Sequence, residues 1–182
     1  VSGAGRRRPS TRREWAWHQL DPEWAGRLVD QAEVRPGQLV VEFGAGTGAV
    51  TAPLLDSGAR VIAIEWHPGR AAALQRRFGS AAANGTLKVL GIDALDFRLP
   101  ARPFRVIANP PYSITSALLR LITARHSRMI RADLVLQRGA VNGLLERPPR
   151  WFVGVRGVRV PRWAFAPPPE VDSAVLTLRR RR

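Results

Sequence analysis

Val40-Val41-Glu42-Phe43-Gly44-Ala45-Gly46-Thr47-Gly48 is the stretch that decides how this chain is read. Leu39 to Val41 with Phe43 forms a near-continuous apolar run, as expected of a buried strand in a parallel sheet. Three glycines alternating with single residues then predict a tight turn, where the backbone can take φ > 0 and let a ligand lie against it. A helix is predicted from Ala49 to Asp56, ending at Gly58, so the turn and the unpaired N–H groups of that helix face one ligand. Pro53 removes a backbone donor there and predicts a kink or an irregular helix start. Strand, glycine turn and helix is the nucleoside-cofactor arrangement of open α/β sheets, but it leaves open which cofactor.

Downstream, apolar strands alternate with helices. Strands are predicted at Arg60 to Glu65, Thr86 to Ile92, Phe104 to Ala108 and Ala132 to Gln137, and helices from His67-Pro68-Gly69 through Phe78, from Thr115 to Thr123 and around Val141 to Leu145. Trp151 to Val160 alternates apolar residues with arginine, as a half-exposed strand does; Pro161 to Pro169 reads as a loop and Ala174 to Leu178 as a last strand. Upstream, Asp21-Pro22-Glu23 predicts a helix start with Asp21 as N-cap, and Trp24, Leu28 and Ala32 share its buried face. Arg35-Pro36-Gly37 turns the chain into the first strand. The expected fold is α/β and Rossmann-like: a mostly parallel, seven-stranded sheet with helices on both faces, in a single domain over residues 14–182.

The charge points to the partner. Twenty-nine basic residues oppose 14 acidic ones in 182 residues, a formal charge of +15, and Lys88 is the only lysine. Such an excess fits a polyanion, most often nucleic acid. A GC-rich genome explains arginine over lysine but not the net charge. Residues 1–13 carry Arg6, Arg7, Arg8, Arg12 and Arg13 among Gly, Ser and Pro, and read as a flexible basic arm suited to phosphates; Trp15 and Trp17 behind it are expected to pack on the domain. No apolar run is long enough to span a bilayer, and no apolar segment follows the basic start, so a cytoplasmic location is expected. The chain has no cysteine, and its three histidines show no ligand spacing. No metal is expected.

Acids mark the strand exits beside the glycine turn. Glu65 follows Gly46 at the end of the second strand, where such folds place the carboxylate that takes the ribose hydroxyls. Asp93 leaves the third strand, suited to accept from an adenine amino group. With Glu42, three acids leave three consecutive strands. Gly44-x-Gly46-x-Gly48 lacks the spacing that seats a diphosphate, and the acids repel a dianion. They suit S-adenosylmethionine, which carries a sulfonium and an ammonium.

Asn109-Pro110-Pro111-Tyr112 leaves the fourth strand beside the same crevice. The exocyclic amine of adenine is a poor nucleophile because its lone pair is spread into the ring. Two acceptors on its hydrogens, the Asn109 side-chain oxygen and the Pro110 carbonyl, pull the nitrogen toward tetrahedral geometry and aim the lone pair at a methyl group. Tyr112 supplies a face for the planar base, as extruded bases require. No general base is needed, since the proton can leave after transfer.

With these segments in view, the chain resembles the Erm family of ribosomal RNA adenine-N6 methyltransferases, relatives of the ribosomal dimethyladenosine transferases. The resemblance runs from about residue 14 to the C-terminus. It is carried by Glu42 to Gly48, Glu65, Gly91-Ile92-Asp93-Ala94, Ala108 to Tyr112 and, most diagnostically, Phe165-Ala166-Pro167-Pro168-Pro169-Glu170-Val171-Asp172-Ser173-Ala174. It implies that Gly44, Ala45, Gly46 and Gly48 hold the methionine end of the cofactor, with Glu65 and the adjoining Trp66 at the ribose and Asp93 and Ala94 at the adenine. Asn109, Pro110 and Tyr112 then serve methyl donor and target base, and Phe165 helps sandwich the base. The implied product is N6-methyl or dimethyl adenine in 23S ribosomal RNA at the peptide-exit tunnel. That modification blocks macrolide, lincosamide and streptogramin B antibiotics. The implied substrate is 23S rRNA or the assembling large subunit, and a monomer is expected.

Two departures stand out. Trp17-His18-Gln19-Leu20 occupies the family's Gln-Asn-Phe-Leu segment, so His18, beside Leu20, replaces an asparagine that touches the cofactor. The family continues into a helical C-terminal domain, whereas this sequence stops in four arginines, like the short mycobacterial-type member. RNA grip is then expected from the arginine tails with Arg156, Arg159 and Arg162. Rival readings are a protein glutamine methyltransferase, which the 165–174 segment and the charge disfavour, a DNA adenine methyltransferase, a small-subunit rRNA dimethyltransferase, and a non-catalytic RNA-binding module.

Overall fold

A computed structural model describes residues 18–181. The elements follow as β1 (Gln19–Leu20), α1 (Pro22–Ala32), β2 (Leu39–Phe43), α2 (Thr51–Asp56), β3 (Arg60–Ile64), α3 (Pro68–Arg77), α4 (Gly79–Ala83) and β4 (Leu87–Leu90). Then come β5 (Phe104–Ala108), α5 (Thr115–Ile122), β6 (Met129–Gln137), α6 (Arg138–Glu146), β7 (Phe152–Val160), β8 (Phe165–Ala166) and β9 (Ser173–Arg180). The predicted arm with Arg6, Arg7, Arg8, Arg12 and Arg13, and Trp15 and Trp17, lie outside the described residues.

Seven strands form one sheet in the order β4-β3-β2-β5-β6-β9-β7. The first five are parallel, and β9 runs antiparallel between β6 and β7. The sheet is the mostly parallel one expected. Side chains alternate between two cores, as strand geometry demands. Val40, Val61 and Ile107 face Leu28, Leu54 and Leu74 of α1, α2 and α3. Val41, Ile64 and Val106 face Leu118 and Ile122 of α5 and Val141 of α6. Helices therefore cover both faces, each fully buried Leu or Ile contributing about 1.5–3 kcal/mol of transfer free energy.

Asp21 caps α1 as expected, its Oδ1 accepting from the Glu23 N–H at 2.9 Å. Pro53 sits in the first turn of α2, because the helix begins only at Thr51. The irregular start between Gly48 and Thr51 puts proline where no intrahelical donor is required. Other features depart from the sequence reading. Gly79–Ala83 forms a further short helix; the Pro161–Pro169 loop contains β8, which pairs antiparallel with β1; and β6 begins at Met129, three residues before the predicted start. Two-residue strands leave no periodicity to detect.

At the opposite end of the sheet from the glycine turn, α1 is tied down by buried charge. Arg105 donates to the Ala32 and Glu33 carbonyls, and Arg131 to the Gln31 carbonyl at 3.0 Å, so two guanidinia satisfy carbonyls that the helix end leaves unpaired. Fully buried Asp133 compensates both, accepting from Arg131 Nε at 2.9 Å, Arg105 at 3.3 Å and Thr177 Oγ1 at 2.8 Å.

Candidate active site

Strand order reverses at β2, with β3 on one side and β5 on the other. Ligands of open α/β sheets bind outside the carboxyl ends of the strands at such a switch point. The glycine turn leaves β2 there, and Asn109-Pro110-Pro111-Tyr112 leaves β5. The two segments touch: a Cβ on Gly44, whose φ is +76°, would lie 2.9 Å from Pro111 Cδ. Only glycine allows this approach. Between them opens a cavity of about 300 Å³, at the small end of the range for ligand pockets.

His18, Leu20, Gly44, Ala45, Glu65, Trp66, Asp93, Ala94, Asn109, Pro110 and Tyr112 line this cavity, so the structure brings most of the predicted residues together. Three predicted residues are placed elsewhere. Gly46 and Gly48 do not line it: the Gly46 N–H donates to Glu65 Oε2 at 2.8 Å, and Gly48 faces Leu74 and Phe78. Phe165 is buried behind the wall, paired with Leu20.

The charges of the wall differ from a count of acids. The Glu65 carboxylate is held at both oxygens, Oε2 by Gly46 and Oε1 by the His67 N–H at 2.8 Å and by Arg70 at 3.0 Å. Arg70, absent from the sequence reading, lines the cavity and offsets Glu65. Glu42 is 2% exposed, and burial pushes its carboxyl up to about 8, assisted by nearby Glu65 and opposed by the Thr51 hydroxyl that donates to it at 2.6 Å. At neutral pH it is largely uncharged. Three carboxylates counted from sequence therefore overstate the negative charge of the site. Asp93 caps the following 3-10 turn (Ala94–Asp96), its Oδ1 accepting from Leu95 at 2.8 Å.

The Asn-Pro-Pro-Tyr corner is built around His18. Asn109 Nδ2 donates to the His18 carbonyl at 2.7 Å. A carbonyl only accepts, so this contact fixes the amide with its NH2 toward His18 and Oδ1 as the remaining acceptor. The His18 ring stacks on Tyr112, centroids 5.5 Å apart at 29°, and its Nδ1 donates to the Pro167 carbonyl at 2.8 Å. The Tyr112 hydroxyl meets Ser173 Oγ at 2.8 Å, and burial raises its pKa. The Asn-Pro-Pro-Tyr corner and the 165–174 segment are thus joined through His18 and Ser173, contacts that the sequence reading of these two residues did not include.

Of the predicted RNA-binding arginines in the described region, Arg159 pairs with Asp172, holding that carboxyl below its usual range. Arg162 donates to the Glu170 carbonyl at 3.0 Å. Both brace the 165–174 segment. Arg156 is exposed and donates to Asn142 at 2.7 Å. Among the described residues no cluster of His, Asp or Glu could hold a metal ion, and no helix is long and apolar enough to cross a membrane.

A family model described as ribosomal RNA adenine dimethylase matches residues 18–182. The chain belongs to the ribosomal RNA adenine dimethylase family. Within that family it is 34% identical to the ribosomal RNA small subunit methyltransferase A of Thermosynechococcus vestitus, the match covering 94% of this chain and 70% of the relative. It is 33% identical to the rRNA adenine N-6-methyltransferase of Corynebacterium diphtheriae, covering 84% of this chain and 62% of that one. Among solved structures it resembles the 23S rRNA methyltransferase ErmE, with TM-score 0.79, 28% identity, and coverage of 91% of this chain and 70% of that chain. A dimethyladenosine transferase from Plasmodium falciparum follows, with TM-score 0.75, 26% identity, and coverage of 90% and 64%. The chain spans roughly two thirds of these relatives.

As in other rRNA adenine dimethylases, the cofactor is S-adenosylmethionine, and the cavity fits it. The bare backbone of Gly44 and Ala45 gives close approach, and Glu65 and Asp93 stand at the exits of β3 and β4 with carboxylates that could accept from hydroxyl and amino groups. When bound, this cofactor supplies a methyl group on a sulfonium, an electrophile needing only an aligned lone pair.

Proposed function

We propose that this chain methylates the exocyclic N6 of adenine in 23S ribosomal RNA at the peptide-exit tunnel, as free RNA or in an assembling large subunit, and so confers resistance to macrolides, lincosamides and streptogramin B. Asn109 carries the reading. With its NH2 held by His18, Oδ1 is available to accept from the target amine. The Pro110 carbonyl takes the second hydrogen, and the nitrogen rehybridises so that its lone pair points at the methyl carbon. Tyr112, fixed by His18 and Ser173, offers the face on which the extruded base stacks. Phe165 supports that pocket from behind Leu20. The amine proton leaves to solvent after transfer. The 23S assignment is supported by the likeness to ErmE.

A second reading, dimethylation of small-subunit RNA, is favoured by the name of the cyanobacterial relative. The chemistry is the same and the substrate differs. Either acts on ribosomal RNA in the cytoplasm. The chain is proposed to act as a monomer, its arm arginines and Arg156 on phosphates, and binding should weaken steeply with salt. Transfer of tritiated methyl to separated 16S and 23S RNA, mapped by primer extension, decides between them. Label in 23S RNA at an exit-tunnel adenine is expected. Label confined to 16S RNA selects the second reading, and label entering protein alone rejects both.

A further inference from the structure

Trp163 is 75% exposed, the most exposed large apolar side chain among the described residues. Its exposure does not come from a loose backbone. Pro161 opens the 3-10 turn that carries it (Arg162–Ala164); the Arg162 N–H donates to Asp172 at 3.3 Å, and the Ala164 carbonyl accepts from the Asp21 N–H at 2.8 Å. Ala164 is fully buried on one side of the indole. Folding therefore holds this ring out in water, although its transfer inward would be favourable.

Its neighbours are aromatic and cationic. Trp163 meets Trp24 edge to face at 5.8 Å, and the Arg27 guanidinium lies 4.7 Å from the Trp24 ring centroid. Arg27 is partly offset by Glu23, an exposed pair on the same helix. Aromatic faces beside guanidinia are how sequence-tolerant sites hold unpaired nucleotides. The place also fits. Two residues of chain span at most about 7 Å, so Trp163 sits close to Phe165 and to Leu20 on the cavity wall.

We propose that Trp163, braced by Trp24, is a stacking platform for an unpaired RNA nucleotide flanking the extruded adenine. This rests on the reading of the chain as an RNA-modifying enzyme. The Arg27 guanidinium on Trp24 and the chain's charge of +15 match a polyanion rather than a basic or apolar protein surface. Because every base has a stacking face, the platform adds affinity and register but reads little sequence.

The test compares Trp163→Ala and Trp163→Phe in the full chain. Binding is measured with a labelled single-stranded oligoadenylate, and turnover with protein-free ribosomal RNA. Trp163→Ala is expected to raise the oligonucleotide Kd and the rRNA KM about tenfold, with kcat, melting temperature and S-adenosylmethionine affinity unchanged. Trp163→Phe is expected to retain most of the affinity. An unchanged Kd and KM in Trp163→Ala overturns the proposal, as does a loss that phenylalanine fails to restore or one shared with cofactor binding. A loss seen only on ribosomal particles, indicating a protein contact, overturns it too. If the unaltered chain labels no RNA, the proposed function fails, while the oligonucleotide arm still decides the role of Trp163.

Discussion

Asn109 donates its side-chain amide to the backbone carbonyl of His18 at 2.7 Å, so the residue proposed to activate the amine is oriented by main chain. The partner cannot be deleted by mutation, and the preorganisation is built into the path of the chain before β1. The His18 ring does separate work on Tyr112 and Pro167.

Replacing that ring should therefore spare the Asn109 contact and loosen the base pocket. His18→Ala is expected to raise the RNA KM and lower kcat together, about tenfold in kcat/KM, the worth of one hydrogen bond and one ring contact. His18→Asn, the family residue, should recover part of this. Steady-state kinetics with ribosomal RNA provide the check; unaltered parameters in the alanine variant would remove His18 from the pocket.

Glu42 makes stability depend on pH. Its folded value of about 8 lies above the ordinary 4.5, so between those limits the folded chain keeps a proton that the unfolded chain releases. Stability then falls as pH rises across that window, by up to about 1.4 kcal/mol per unit. Glu42→Gln should lose this dependence. Melting curves from about pH 5 to about pH 8 are expected to diverge in favour of the glutamine variant as pH rises; parallel curves would argue for an ionised Glu42.

Gly44→Ala should act on the cofactor cavity. The left-handed backbone costs about 1–2 kcal/mol, and the new methyl pushes on Pro111. At least a tenfold loss of S-adenosylmethionine affinity is expected by calorimetry. Gly79→Ala, in open space on α4, serves as the control and should change nothing.

Asp133→Ala leaves Arg105 and Arg131 without their shared carboxylate in a buried setting. A loss of about 3–5 kcal/mol is expected in denaturant unfolding, because the uncompensated charges remain inside. A loss below about 1 kcal/mol would mean that water reaches the pair.

The parallel half of the sheet was legible because β2, β3 and β5 are mostly apolar runs, interrupted by Glu42, Arg60 and Arg105, with glycine or proline close behind their exits. Glu65, Asp93 and Asn109 were legible for the same reason: a strand end fixes where its next residue lies. What escaped is where side chains reach. Arg70 reaches Glu65 from the following helix, and Ser173 meets Tyr112 across 61 residues. The pairing of β1 with β8 carries Phe165 behind Leu20, and two residues per strand give no pattern. The protonation of Glu42 was hidden because a carboxylate counted from sequence carries no burial, and burial sets its charge here.

Asn109 Oδ1 is proposed to activate an adenine amine beside a bound methyl donor. Single-turnover methyl transfer to ribosomal RNA by Asn109→Ala, run at saturating cofactor alongside calorimetric S-adenosylmethionine affinity, tests it most directly. A fall in rate of about 10²–10³ is expected, with the protein folded and still binding cofactor. A transfer rate equal to that of the unaltered chain would contradict it.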